Sequence, residues 1–474
     1  MKNESRGRYL AKNTAIFAIG SFATKIISFL LLPLYTNVLS TTEYGVVDLI
    51  TTISAVLAPV LTLNIGEAVI RFLLEKNSET NEIMTIGLLG IVFAAVGGLV
   101  FLPFVRFYSD VSHYGIYLYL YTITLAASSV LLLYLRGKEK LVQYSVGNII
   151  HSLAIAGLNI LFLTRFSLGV EGYFCANILA NCITILYAFF VGRVYKILFH
   201  LKYNHNLFCS MVRFSLLLIP NTFMWWIINS SDRVMLTSML GVAANGIFAI
   251  SYKIPTLVQT FSTIFNQAWG LSAIRENDSA DRDTYYNSVF RGLLIITLLC
   301  GSGMMLVMKP FLYVYVAEEY YIAWRYTPYL IIGFVFLTLA TFLSTPYYVN
   351  KNSKGILASS SVGAVTNLIL NAVLIPCIGI SGAAIATLIS YIAIFFFRYF
   401  NTQKYISIRI VQKDYFIGFF ILFVMGFSIF LDGLPGFTVL CIEFFGILLV
   451  FRKDLIRLCR KIVHTVVKRR QPRN

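Results

Sequence analysis

The chain has 474 residues, of which 58% are hydrophobic and only 12% are charged, and its formal net charge is +17. Soluble domains carry roughly 25% charged residues, so the composition excludes a soluble protein and predicts an all-α polytopic membrane protein. The basic residues lie in short segments between apolar runs, which argues against a nucleic-acid partner.

Apolar runs long enough to cross a bilayer recur along the whole chain, and each predicts a membrane-spanning helix. The first run is too long for a cleavable signal peptide, so we expect an uncleaved first helix. We predict about fourteen helices, at residues 13–38, 44–70, 83–105, 115–135, 141–163, 172–192, 212–231, 245–268, 288–308, 325–348, 355–375, 379–398, 415–431 and 435–451. The last two are the least regular pair, and one broken hairpin is the alternative there.

The basic residues predict the orientation of these helices. An even number of helices places both termini on the same side, and the segments on that side carry 31 of the 38 lysines and arginines, against five on the other. Because Lys and Arg concentrate in cytoplasmic loops, both termini are expected to be cytoplasmic. The basic tail 452–474 is expected to contact anionic membrane lipid, with binding of a protein partner as the alternative.

Two pairs of turns indicate an internal repeat. "LSTTEYGVVD" (39–48) resembles "LGVAANGIFA" (240–249), and in both a leucine precedes a glycine by six residues. Further along, "LGVEGYF" and "IGISGAA" share two glycines three residues apart, at 169–172 and 379–382. We therefore predict six-helix bundles at 1–211 and 212–400, followed by two extra helices and the tail at 401–474. Parallel repeats of this kind occur in transporters.

The 6 + 6 + 2 helices, the "LSTTEYG" turn after helix 1 and the "GISGAAIAT" turn into helix 12 resemble the polysaccharide-transporter branch of the MOP (multidrug/oligosaccharidyl-lipid/polysaccharide) superfamily. The resemblance implies a MATE-like V of two bundles around a central cavity that opens to alternate sides. It implies a flippase, not an enzyme, that moves undecaprenyl-diphosphate-linked oligosaccharides across the bacterial cytoplasmic membrane for O-antigen, capsule or exopolysaccharide. A polymerase and glycosyltransferases would be further partners. No cofactor is implied, and protons or sodium would be the coupling ion.

Charged residues within the membrane are the first site candidates. Lys25 and Lys253 lie too deep to reach water easily, so they are expected to line a wet cavity and to bind the diphosphate. Arg71 and Arg233, near helix ends, are further substrate-binding candidates, with snorkelling to water as the alternative. Candidates for sugar contacts, or alternatively for helix packing, are Asn221, Trp225, Trp226, Asn266, Gln267 and Trp269.

Two acidic residues are candidates for ion coupling. Asp48 lies one turn into helix 2 from the outside, and Glu67 lies four residues before Arg71 on the same helical face. Structural ion pairing is the alternative for both residues, with Arg71 as the local partner of Glu67. Prolines interrupt helices 1, 2, 7 and 8, which makes these helices either hinges or statically kinked; they are Pro33, Pro59, Pro220 and Pro255.

Two other functions compete with the flippase. A MATE-like ion-coupled exporter of small molecules or drugs would need carboxylates at the cavity centre, whereas the deepest charges here are lysines. A membrane sugar polymerase could use Glu318 and Glu319, but the loops are too short for a catalytic domain. The seven cysteines form no CxxC pair and the five histidines lack ligand spacing, so we predict neither disulfides nor a metal site.

Overall fold

The computed structural model describes residues 24–75, 79–105, 112–275, 279, 281–350, 352–409 and 412–457. Within these ranges all regular secondary structure is helical. The basic tail beyond residue 457 lies outside the described residues, so its predicted contact with lipid stays a prediction. The chain forms two compact units, one of residues up to Ala249 together with Tyr315–Tyr320, the other of Ile250–Val314 and the rest. The bundle boundaries at residues 211 and 400 were predicted from the internal repeat. The two compact units do not test that duplication, so these boundaries also stay a prediction.

The helices up to the middle of the chain are α1 Thr24–Val38, α2 Thr41–Leu61, α3 Ile65–Leu73, α4 Thr80–Val105, α5 Gly115–Gly137, α6 Leu141–Ile160, α7 Gly169–Gly192, α8 Val194–Leu198, α9 His205–Leu216, α10 Ile219–Leu240 and α11 Val242–Ser251. The remaining helices are α12 Pro255–Arg275, α13 Arg282–Tyr315, α14 Glu318–Tyr321, α15 Thr327–Phe342, α16 Thr345–Val349, α17 Ser353–Ile378, α18 Ile380–Thr402, α19 Lys413–Ser428 and α20 Gly433–Val450.

Ten helical segments in the described part of the chain are long and apolar enough to cross a membrane. The other four predicted spans correspond to α1, α10, the α11–α12 pair and α19, which are shorter, broken or more polar. In α10 the sequence "NSSDR" interrupts the apolar surface. A polar helix inside a bilayer must turn its polar face toward protein or water, so α10 is where a polar site is expected.

Breaks in the helices coincide with the four prolines that the sequence singled out. α1 turns at Leu31 just before Pro33, and Pro59 lies two residues before the end of α2. α10 has Pro220 in its first turn, and α12 begins at Pro255. The predicted interruption of helices 1, 2, 7 and 8 is therefore confirmed. Lys253 lies in the turn between α11 and α12.

The core of the second unit surrounds α15. This segment is 89% buried over its most apolar window, as expected for a helix whose sequence is apolar on every face. Arg398 of α18 is only 2% exposed. Its guanidinium donates to Ser359 Oγ at 3.0 Å and to the Ala340 carbonyl at 2.9 Å, so it ties three helices together inside the unit.

Candidate functional site

The first pair of repeated turns forms a close helix crossing in the first unit. A Cβ atom placed on Gly45 of α2 would lie 2.0 Å from the carbonyl oxygen of Val242, and one placed on Gly246 of α11 would lie 2.0 Å from that of Thr41. The carbonyl that faces each glycine belongs to the residue four positions before the other glycine. The contact is therefore reciprocal. Only glycine at both positions allows this approach.

The second pair of repeated turns is also structurally alike. Gly169 and Gly379 both have positive φ angles, of 54° and 63°, and each stands at the start of the helix that follows. Three residues later, a Cβ on Gly172 would lie 2.8 Å from Leu168, and one on Gly382 would lie 2.4 Å from the Leu374 carbonyl. Both correspondences read from the sequence thus mark positions where the fold requires glycine.

The start of α2 follows from the sequence of the first turn. In "LSTTEYG", Ser40 is the N-cap, and its side chain accepts a hydrogen bond from the Glu43 backbone N–H. The Glu43 carboxylate in turn accepts from the Ser40 N–H at 2.9 Å. This capping box satisfies two of the free N–H groups at the helix start. By fixing the residue at which α2 begins, the capping box also fixes which residues lie on each face of the helix. Gly45 faces α11, and Asp48 lies one turn further along the same face.

Beside the glycine crossing lies a cluster of polar side chains from α2, α10 and α11, here called the polar cluster (Asp48, Thr52, Trp226, Arg233 and Asn245). Arg233 Nη1 donates to Asp48 Oδ1 at 2.8 Å and to Thr52 Oγ1 at 3.2 Å. Asn245 Nδ2 donates to the Gly45 carbonyl at 3.0 Å and to Asp48 Oδ2 at 3.4 Å. Trp226 Nε1 donates to the Thr52 carbonyl at 3.0 Å. Three helices are therefore joined through one carboxylate and one guanidinium.

The charges of the polar cluster are largely removed from water. The Asp48 side chain is 7% exposed and that of Arg233 is 19% exposed. Burying either charge alone is costly, and the pair offsets that cost only through good geometry and further hydrogen bonds. The bonds from Asn245 and to Thr52 supply two of these, and they form only while the three helices stay together.

Tyrosines cover the end of the polar cluster. Tyr44, directly after the capping box, packs edge-on against Tyr320 with ring centroids 6.0 Å apart. Tyr35 lies 6.4 Å from Tyr44 and packs against Tyr173 at 5.3 Å. The Tyr320 hydroxyl donates to the Leu39 carbonyl at 2.9 Å, which anchors the short α14 in the first unit. This aromatic layer limits the access of water to the ion pair from that end.

The structure brings together three residues that the sequence proposed for separate roles. Asp48 was an ion-coupling candidate, while Arg233 and Trp226 were substrate-binding candidates; all three belong to the polar cluster. Sequence reasoning missed Thr52 and Asn245. Helical spacing offered a signal for the first, since Gly45, Asp48 and Thr52 share one helix face, whereas Asn245 is marked only by its place beside a repeated glycine.

The other charged candidates lie elsewhere. Lys25 is on the exposed side of α1, and Lys253 is partly buried in its turn. Arg71 forms an ion pair of 2.9 Å with Glu75, both side chains being about half exposed. The local partner of Arg71 is thus Glu75 and not Glu67, the partner considered from the sequence; Glu67 is exposed in the first turn of α3.

Among the aromatic and amide candidates, some side chains lie outside the described residues and others have partners within the protein. The side chains of Asn221 and Gln267 lie outside the described residues. Trp269 is only 4% exposed and stacks on Phe342 at 4.9 Å, so it is a packing residue and not a sugar contact. Asn266 donates to the Ser262 carbonyl of its own helix at 2.7 Å. Across the ranges that the structure covers, no three His, Cys, Asp or Glu side chains group as metal ligands.

The fold is shared with transporters of the MOP superfamily. A structure titled "Lipid II flippase MurJ, inward closed conformation" matches with a TM-score of 0.69 and 14% identity, covering 93% of this chain and 100% of that one. An inward-facing multidrug resistance MATE family transporter matches with a TM-score of 0.60 and 14% identity, over 81% and 94% of the two chains. A MOP superfamily transporter from Pyrococcus furiosus, whose title reports a binding pocket of reverse polarity, matches with a TM-score of 0.54, 14% identity and coverages of 84% and 94%.

These likenesses define the fold as that of an all-α, multi-spanning membrane transporter of the MATE-like type, as the sequence predicted. The model of the family described as "Polysaccharide biosynthesis protein" matches residues 10–270, more than half of the chain. The chain belongs to this family. No curated protein matches it.

Proposed function

We propose that the protein is a flippase that carries an undecaprenyl-diphosphate-linked oligosaccharide across the bacterial cytoplasmic membrane for O-antigen, capsule or exopolysaccharide synthesis. The observation that carries the proposal is membership of the polysaccharide biosynthesis family combined with a transporter fold. One solved protein of that fold is titled a lipid II flippase, a name that itself describes a lipid-linked substrate. Partner glycosyltransferases and a polymerase remain predictions from the sequence.

The substrate explains the lysines in the membrane. A lipid diphosphate carries two or more negative charges, and moving bare charge through hydrocarbon costs far more than thermal energy. A wet cavity with positive charges replaces the lost hydration while the polyprenyl tail stays in lipid. Lys25 and Lys253 supply such charges, and the flexible lysine stem lets each ammonium follow a moving phosphate.

The polar cluster supports alternating access. Arg233 is bound to Asp48 in this conformation, and the Gly45–Gly246 crossing holds α2 against α11. The distribution of basic residues predicts that this crossing lies toward the outer side. We propose that it is the closed outer gate, and that the gate opens when the Asp48–Arg233 pair separates. Neutralisation of Asp48 by a proton, or its binding of sodium, would favour that separation, which makes Asp48 the stronger coupling candidate. Glu67 stays a second candidate for ion coupling, on the basis of the sequence alone.

The test of the proposed function is a lysine series in a flippase-deficient host, with surface polysaccharide as the readout and membrane protein level as the control. Lys25→Arg keeps the charge and is expected to retain partial transport. Lys25→Ala is expected to lower transport about tenfold or more, the value of one lost charge-assisted hydrogen bond. Lys25→Glu is expected to abolish transport by repelling the diphosphate.

The matched control is Lys354→Ala, which removes an exposed lysine at the start of α17 and is expected to leave transport unchanged. Normal polysaccharide from well-expressed Lys25→Ala would refute the role of Lys25.

The same host separates the flippase from a MATE-like exporter. The protein is expected to give no resistance to quaternary ammonium drugs, and strong resistance would favour the exporter.

A further inference from the structure

A pocket in the second unit has no part in the function proposed above. It has a volume of about 460 Å³ and lies where α13, the short 3-10 helix Ile322–Arg325 and the start of α20 meet. Its wall combines aliphatic side chains, such as Leu306 and Leu440, with three aromatic residues and one pair of opposite charges. An apolar wall that ends in a few polar groups is typical of sites for amphiphilic ligands.

The charged pair stands at the polar end of the pocket. Lys309 Nζ lies 3.0 Å from Asp432 Oδ1 and 4.0 Å from the ring centroid of Trp324. The lysine side chain is 21% exposed and the aspartate side chain is 89% exposed. The ammonium is therefore held against the pocket wall by the indole face, while the carboxylate extends into solvent beside it.

The sequence around the pocket places it at a membrane surface. Lys309 is near the end of the long apolar helix α13, and Asp432 is the N-cap of the apolar helix α20. Both helix ends are on the side that carries few basic residues, the predicted outer side. Trp324 and Tyr321 at this level fit the aromatic belt that proteins place at lipid headgroups. The apolar side chains of the pocket would then lie at the depth of the acyl chains.

We infer that this pocket binds one outer-leaflet phospholipid whose headgroup is zwitterionic and carries a primary ammonium, as in phosphatidylethanolamine. The phosphate would accept hydrogen bonds from Lys309, and the ammonium would donate to the Asp432 carboxylate. An acyl chain would cover Leu306 and Phe437.

The arrangement of charges favours this headgroup over others. The glycerol hydroxyls of phosphatidylglycerol can donate hydrogen bonds to the Asp432 carboxylate, but this headgroup has no positive charge to offset that of the carboxylate. The trimethylammonium of phosphatidylcholine has no N–H and cannot donate to the carboxylate. A headgroup with both a phosphate and a hydrogen-bonding ammonium gives each of the two side chains a hydrogen bond to a group of opposite charge, which is stronger than a hydrogen bond to a neutral hydroxyl.

The experiment is native mass spectrometry of the full-length protein in detergent mixed with one lipid at a time, all with the same acyl chains. The wild type is expected to retain one phosphatidylethanolamine at roughly tenfold lower lipid concentration than phosphatidylcholine or phosphatidylglycerol. Lys309→Met and Asp432→Asn are each expected to lose this preference, and Lys309→Arg is expected to keep it. Lys404→Met is the matched control, because Lys404 also lies over an aromatic ring, that of Tyr405 at 5.0 Å, but outside the pocket.

Two outcomes would overturn the inference. One is equal retention of phosphatidylglycerol, or of undecaprenyl phosphate, which would show that the ammonium is not recognised. The other is unchanged preference in both Lys309→Met and Asp432→Asn. Should either variant fail to fold, the exchange Lys309→Asp with Asp432→Lys preserves the pair, and it is expected to restore the phosphatidylethanolamine preference that a single charge reversal removes.

Discussion

At the scale of single residues, Asp48 and Arg233 illustrate why a charge inside a membrane helix has to be interpreted together with its partner. The sequence places each near a helix end, with ion pairing as the alternative for Asp48 and snorkelling to water as the alternative for Arg233. The structure instead satisfies them with each other and with Thr52 and Asn245. A pair of this kind makes one arrangement of helices favourable and penalises any arrangement that separates the charges.

This pairing predicts the effect of removing one partner. Asp48→Asn removes the carboxylate that contacts Arg233 Nη1 in a largely buried place, and is expected to cost about 3–5 kcal/mol of stability. The double variant Asp48→Asn with Arg233→Gln removes both charges and is expected to recover most of that loss. The measurement is thermal unfolding of the purified protein in detergent.

The control for the ion-pair variants is Glu75→Gln. It breaks the Arg71–Glu75 pair, which has the same kind of charges but is about half exposed. Water screens such a pair, so its loss is expected to cost less than about 1 kcal/mol. Equal effects of Asp48→Asn and Glu75→Gln would show that burial does not distinguish the two pairs.

At the scale of helices, the crossing of α2 and α11 predicts a second stability effect. Gly45→Ala and Gly246→Ala each place a Cβ against a backbone carbonyl 2.0 Å away, so the helices must separate. Each is expected to cost about 1–3 kcal/mol, as for other overpacked sites, and to lower the thermal unfolding temperature.

Gly157→Ala is the matched control for the glycine variants. Gly157 lies within α6 of the same unit, and a Cβ there meets no atom within 4 Å. Because alanine favours a helix more than glycine does, this variant is expected to be as stable as the wild type or slightly more stable. A comparable loss from Gly157→Ala would mean that the crossing is not specially tight.

The helices also show how far the sequence determines the fold. Among the described residues, apolar length identified ten of the fourteen predicted spans as helices long enough to cross a membrane, and proline predicted the breaks. The seventh helix was misplaced: it was expected at residues 212–231, whereas α10 runs from Ile219 to Leu240. The prediction ended just before Arg233, which the sequence places near a helix end. In the structure Arg233 pairs with Asp48, and the helix continues past it to Leu240. Pairing between distant segments is not visible in local hydrophobicity.

The candidate site was predictable only in part, for a related reason. Residue type identified Asp48, Arg233 and Trp226 as unusual in a membrane helix, but not as neighbours. The repeat identified Gly45 and Gly246 as equivalent, but the sequence carries no sign that equivalent positions touch. Trp269 had the same residue type as Trp226, yet it packs in a core against Phe342. Burial, which decides between these roles, depends on tertiary packing.

At the scale of the whole molecule, the distribution of basic residues predicts the topology. The turn around Ser167 is expected outside, and the segment 193–213, with the exposed Cys209, is expected inside. In a background lacking other cysteines, Ser167→Cys should react with a membrane-impermeant maleimide on intact spheroplasts. Native Cys209 should react only after permeabilisation. Labelling of Cys209 in intact spheroplasts would show that the orientation is the reverse of the predicted one.

The reciprocal glycine crossing also constrains how the sequence can evolve. In most tight contacts, a larger residue on one side can be accommodated by a smaller one on the other. Here the atom facing each glycine is a backbone carbonyl, which no substitution can shrink. Position 45 therefore cannot compensate for position 246, nor the reverse. If the two halves arose by duplication, we expect this glycine to have been kept independently in both, even where the surrounding residues have diverged.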